Sequence, residues 1–145
     1  MITSHLKSHK ELGNSGFKKL ARYIFGGNKD SKQIAMTSPV YMEIGDTASS
    51  MSFVMPSNYD KNNLPLPNDE AIFIKKTPAE YVAAICFEGF ASEEKIQKNK
   101  VKLERLLRKY RLPHYGSFRF LGYNPPYQLI GRKNEIIVSL YWNDK

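Results

Sequence analysis

The chain has one cysteine and one tryptophan in 145 residues, and only three histidines. A lone Cys86 excludes an internal disulfide and a cysteine metal cluster. His5, His9 and His114 do not fall at zinc-type spacing, and the P-loop, the nucleophile elbow and the dinucleotide-binding glycine fingerprint are all absent. No apolar run approaches the ~18–20 residues of a membrane span. The first residues, MITSHLKSHK, lack the apolar core of a signal peptide. With the single thiol, these absences point to a reducing cytoplasm. They also leave little reactive chemistry, so binding is the first class to consider.

What is present suffices for one globular domain, residues 1–145, since 41% of the residues are hydrophobic. The net charge is +8. Much of it falls in one predicted helix, where Lys95, Lys98, Lys100, Lys102, Arg105, Arg108, Lys109 and Arg111 face only Glu93, Glu94 and Glu104. Such a stripe reads either as a surface for nucleic acid or anionic membrane or as the solvated arc of an amphipathic helix. The regular apolar spacing favours the solvated arc, so no specific nucleic-acid partner is expected.

Residues 2–7 alternate loosely, as a strand does. In NSGFKKLARYIFGGN, Asn14 or Ser15 can cap a helix in which Phe17, Leu20, Ala21, Ile24 and Phe25 follow helical spacing. Gly26 and Gly27 stop it. KQIAMTSPVYME reads as a strand broken at Pro39, and SMSFVMPS as another ending at Pro56. A polar loop, 57–70, separates this half from a second that opens with AIFIKK and AEYVAAICFEGF. Ser92 caps the long basic helix, with Glu93 and Glu94 in its first turn. Ile96, Leu103, Leu106, Leu107 and Tyr110 form its apolar stripe. SFRFLGYNPPYQLIG and NEIIVSLYW close the chain.

The halves, about 1–56 and 71–142, share an order of strand, helix, strand, strand. In the first these are 2–7, 15–25, 33–43 and 51–55; in the second, 80–88, 93–111, 117–123 and 134–142. MTSPVY and GYNPPY occupy matching places. The expected class is therefore α+β, a distorted antiparallel sheet or barrel with two helices, built from two β-α-β-β repeats.

Individual candidates for chemistry are weak. His5 and His9 could share a face as metal or haem ligands, but they sit close to the chain's start. His114 lies in LPHYG, a predicted surface turn. Cys86 alternates with Val82 and Ala84 in an apolar strand and is expected to be a buried, inert thiol. Glu43, Glu88 and Glu135 flank strands and would need a shared cavity for acid–base work. No catalytic or metal-binding residue is assigned.

The order of GFKKLARYIFGGN, KQIAMTSPVYME, FVMPSNY, LPLPND, FEGFASEE and GYNPPYQLIGRKNEIIV closely resembles the SOUL haem-binding family, from about Gly16 to Leu140. IAMTSPV and YNPP followed by GRKNE carry most of the specificity. The resemblance implies a distorted β-barrel of two β-α-β-β halves that binds haem or another tetrapyrrole non-covalently, with no established catalysis for most members. The binding surface it implies is the outer face of the first helix with the loop after Pro126. On this chain that selects Phe17, Ala21 and Phe25 for apolar contact and Arg22 as a cation. Asn14 and Gln128 stand where some members carry basic residues, and Lys18, Arg132 and Lys133 supply compensating charge. Members usually have a further strand before the equivalent of residue 1. Its absence would leave a sheet edge near residues 1–8 open to a homodimer partner. Alternatives on the same scaffold are a small-molecule hydrolase, a ligand sensor, a basic-surface nucleic-acid binder or a protein-interaction module.

Overall fold

A computed structural model describes residues 2–6, 16–44, 49–124 and 130–142. The chain forms two compact units, Met1–Pro78 and Ala79–Lys145. The first contains β1 (Ile2–Leu6), α1 (Phe17–Ile24), β2 (Val40–Ile44), β3 (Ser49–Phe53) and β4 (Ile72–Ile74). The second contains β5 (Val82–Glu88), α2 (Glu93–Lys109), β6 (His114–Gly122) and β7 (Lys133–Leu140). The class is α+β, with every described ladder antiparallel.

The repeated unit is visible in the pairings. β3 pairs with β1 and β2, and β7 pairs with β5 and β6. In each repeat the first and last strands are therefore neighbours, and the middle strand joins the far side of the last. The first unit adds β4 against β1, with Ile2 opposite Ile74. AIFIKK, assigned from sequence to the opening of the second half, thus completes the first.

Two expectations are corrected by these ladders. Among the described residues β4 pairs only with β1 and β5 only with β7, so the strands end in open edges and do not close into a barrel. β1 has a neighbour on each side, so the free edge expected near residues 1–8 is already occupied. With it goes the basis for a homodimer through that edge.

α1 forms because Leu20, Tyr23 and Ile24 recur at helical spacing and bury completely. They meet Ile34, Met51, Phe53 and Ile72 in the first unit's core. Each such side chain contributes roughly 1.5–3 kcal/mol on burial. The expected caps Asn14 and Ser15 lie outside the described residues; the helix starts after Gly16 without a side-chain cap. Its end follows the glycine logic. Gly26 adopts φ +107° and the Gly27 N–H reaches the Arg22 carbonyl at 2.8 Å, satisfying a carbonyl that the helix leaves open. A Cβ on Gly27 would stand 2.6 Å from that same oxygen. The following strand is entered through a cis Ser38–Pro39 bond.

In the second unit α2 packs across β5, β6 and β7. The Ser92 hydroxyl accepts from the Lys95 N–H at 3.2 Å, the expected cap. Leu103 and Leu107 are buried and Ile96 half-buried, but Leu106 and Tyr110 are exposed, so the apolar stripe is narrower than its spacing suggested. β6 starts three residues earlier than expected, placing His114 at its first position rather than in a turn.

Candidate functional site

Helical geometry divides the short sequence of α1 into two faces. Leu20, Tyr23 and Ile24 point into the core. Lys18, Ala21, Arg22 and Phe25 follow at i, i+3, i+4 and i+7, which sets them on one stripe of the opposite face. Lys18 and Arg22 are exposed, Ala21 is half-covered and the Phe25 ring is 66% exposed. A large ring left this open beside two cations is the unusual feature of the unit. Phe17 does not share it. It packs edge-on against Phe53 at 5.5 Å and belongs with the core.

Beside this stripe runs an open groove of about 520 Å³, lined by Lys19, Arg22, Tyr23, Gly27, Asp69 and Ile72 among others. Lys19, not singled out from sequence, is half-covered there. Its only sequence signal was its place next to Lys18. Asp69 and Glu70 line the same groove and oppose any anion entering it. The outward stripe is therefore the better seat for an anionic ligand. The floor below is rigid: the Tyr23 hydroxyl donates to the Pro65 carbonyl at 2.6 Å. Burial, with Tyr59 and Asp30 nearby, pushes that phenol up to about 12, so it stays protonated.

The remaining expected contacts fall in the second unit or outside the described residues. Arg132 and Lys133 belong to the second unit, where the Arg132 guanidinium covers the Phe90 ring at 4.8 Å and Lys133 opens β7. Gln128, Asn14 and His9 lie outside the described residues. His114 is exposed and meets Phe118 edge-on at 5.7 Å. No group of three His, Cys, Asp or Glu suited to a metal occurs among the described residues.

Cys86 is exposed, which corrects the expectation of a buried thiol. It alternates with Val82 and Ala84 as expected, but on the uncovered face of the edge strand β5. Burial by its neighbours and the Glu135 carboxylate, 3.8 Å away, push the thiol up; Lys133 offsets only part of this. Cys86 is thus exposed yet a poor nucleophile. Glu135 also accepts from the Tyr123 hydroxyl, and Glu43 from the Ser50 hydroxyl at 2.9 Å. Glu88 and Glu135 lie on one face of the β5–β7 ladder, opposite Lys133 and Cys86 respectively.

A further carboxylate, Glu80, has partners far off in sequence and no local signal. It accepts from Arg119 at 2.7 Å and from the Ser139 hydroxyl at 2.6 Å. Burial pushes its carboxyl up, but Ser139 and Arg119 outweigh this and hold it below the ordinary value. That suits a structural anion rather than a general acid. Because the folded-state value is lowered, its stabilisation is present above the unfolded value, about pH 4.3, and fades as pH falls through the folded one. Glu80→Gln is expected to cost about 1 kcal/mol at pH 7, with its side chain 27% exposed. In thermal melts the two proteins should converge as pH falls below about 4; a constant difference would contradict the assignment.

The first unit thus carries a cationic, ring-bearing helix face on an antiparallel α+β scaffold. A family model described as SOUL heme-binding protein matches residues 1–139, and the chain belongs to that family. It is similar to heme-binding protein 2 of Mus musculus, 33% identical over 129 residues that cover 84% of this chain and 63% of the mouse protein. Heme-binding protein 1 of Xenopus laevis is 30% identical over 137 residues, covering 90% of this chain and 72% of the frog protein. The chain thus spans a little under two thirds of the length of the mouse relative.

Proposed function

We propose that this protein binds haem or a related tetrapyrrole reversibly and non-covalently on the outer face of α1. The observation that carries this reading is the stripe of Lys18, Ala21, Arg22 and Phe25, opposite the buried face of the helix. Its chemistry fits the group. Phe25 and the small Ala21 offer an apolar patch that a flat macrocycle can approach. Lys18 and Arg22 supply two cations for two propionates. No residue of the stripe is His, Cys or Met, so it contributes no strong iron ligand.

The magnitudes set the role. Exposed ion pairs contribute ~0–1 kcal/mol each, so most of the binding comes from apolar burial at ~25 cal/mol per Å², less the cost of association. That supports affinities of roughly micromolar order, suited to carrying or buffering the ligand rather than to catalysis. No described helix is long and apolar enough to cross a membrane, and the single free thiol suits a cytoplasmic protein.

Parallel absorbance titrations with haemin and metal-free protoporphyrin test this directly. Their dissociation constants are expected to agree within about threefold, ~0.65 kcal/mol, because the face holds the ring and its propionates rather than the iron. Haemin binding more than tenfold tighter would show an iron ligand elsewhere and overturn the assignment to this face.

A further inference from the structure

Between Glu104 and Glu135 the sequence contains no carboxylate, although Arg105, Arg108, Lys109, Arg111 and Arg119 all fall there. The basic stretch at the end of α2 is therefore not neutralised from within its own sequence. A groove of about 530 Å³ opens at that point, with Leu107, Leu112 and Pro113 as its apolar lining and Arg108, Arg111 and His114 as its polar one.

Two pairs of exposed rings stand where β5 and β6 begin and β7 ends. Tyr115 and Tyr141 stand 4.5 Å apart, and Tyr81 and Trp142 6.5 Å apart. All four are between 41% and 62% exposed. Register sets the pairs on opposite faces, Tyr115 and Tyr141 with Ser139, Tyr81 and Trp142 with Leu140; because His114 pairs with Leu140, the Tyr81–Trp142 pair shares the face of the groove's histidine.

The backbone of Arg111 is a second, independent observation. α2 ends as α1 does, with the Leu112 N–H on the Leu107 carbonyl at 2.9 Å and the Arg111 N–H on Arg108 at 3.2 Å. α1 places Gly26 at the left-handed position of this turn, whereas α2 places Arg111 there, at φ 52°. A non-glycine residue in that region is strained. The helix dipole makes a cation welcome here, but Arg108 and Lys109 already serve it. The Arg111 side chain lines the groove.

We propose that the C-terminal end of α2 and the adjoining rings form a site for single-stranded nucleic acid, with phosphates held by Arg108 and Arg111 and bases stacked on Tyr81 and Trp142. Cations tracking a backbone beside aromatic platforms are what an unpaired strand requires, without base-specific readout. An anionic bilayer would favour the same charges. The Tyr81–Trp142 pair, however, offers flat ring faces rather than a long aliphatic surface, which suits stacking better than insertion among acyl chains.

Trp142 is the only tryptophan, so its fluorescence reports on the site. Titration of the intact chain with single-stranded oligothymidylate is expected to quench it, with binding at least tenfold tighter than to duplex DNA of equal length. Tyr81→Ala should weaken this about fivefold. Arg111→Gly should do the same and lower the log–log salt slope by about 0.7, while its melting temperature stays at or above that of the parent because glycine relieves the strain. Equal affinity for duplex, or no quenching, would reduce the patch to surface charge and overturn the proposal. Quenching by phosphatidylserine vesicles but not by oligothymidylate would assign it to a membrane surface instead. Unchanged affinity in a folded Arg111→Gly variant would remove the groove from the site.

Discussion

Asn28→Ala is expected to destabilise the first unit by about 3 kcal/mol. Asn28 is 2% exposed, and its side chain is used at every position. The amide nitrogen donates to the Tyr23 carbonyl at 2.9 Å and the Lys32 carbonyl at 2.8 Å. The amide oxygen accepts from the N–H groups of Lys32 at 3.0 Å and Asp30 at 3.2 Å. Alanine removes all four bonds and leaves backbone groups unpaired beside a helix end that has few other partners. Each net bond contributes about 1 kcal/mol, and each abandoned buried group costs about 1–3. Water reaches the partly buried members, which keeps the total below their sum. Asn28→Asp is no rescue, since it turns a donor into an acceptor facing two carbonyls. Chemical denaturation reads the effect directly; a loss under 1 kcal/mol would show that the connector is not held by this residue.

Ala21→Trp is expected to weaken haemin and protoporphyrin alike by at least tenfold, or about 1.4 kcal/mol. Ala21 sits between Lys18 and Phe25 on the outward stripe and, as its small, half-covered member, is where the proposed macrocycle would lie against the helix. An indole there occupies the apolar contact area whatever the ligand's charge. The core is untouched, because Leu20, Tyr23 and Ile24 point the other way. The melting temperature should therefore hold within about 0.5 kcal/mol of stability. Retained affinity for both ligands would place the apolar contact somewhere other than α1.

The helices and most strands were legible because their signals are local. Leu20 and Ile24 mark α1 by spacing, Gly26 ends it by conformation, and Ser92 caps α2 by chemistry. The two-repeat order followed from the same signals and is realised in the matched β1-β3-β2 and β5-β7-β6 ladders. Partner choice between strands was not legible. Nothing in AIFIKK says that β4 covers the outer side of β1, so the open edge at residues 1–8 was inferred wrongly, and of the sheet or barrel expected it is the sheet that forms among the described residues. Cys86 failed for a related reason, since alternation gives the face of a strand but not whether another layer covers it. On α1 the spacing grouped Phe17, Ala21 and Phe25 with Leu20 and Ile24, and only the burial of Leu20, Tyr23 and Ile24 shows which of them turn outward. Assigning Phe17 to the core required knowing that Phe53 lies opposite it. Glu80 was hidden by sequence distance from Arg119 and Ser139.

The most direct test of the α1 face is Arg22→Glu, titrated with protoporphyrin and with its neutral dimethyl ester. Arg22 is exposed, so the substitution should change stability by no more than about 0.5 kcal/mol. The free acid loses an attraction and gains a repulsion, whereas the ester experiences neither. Binding of the dianion is expected to weaken about fivefold or more, with the ester unchanged within twofold. Equal affinity of the folded variant for both ligands, matching the parent protein, would contradict tetrapyrrole binding at this helix.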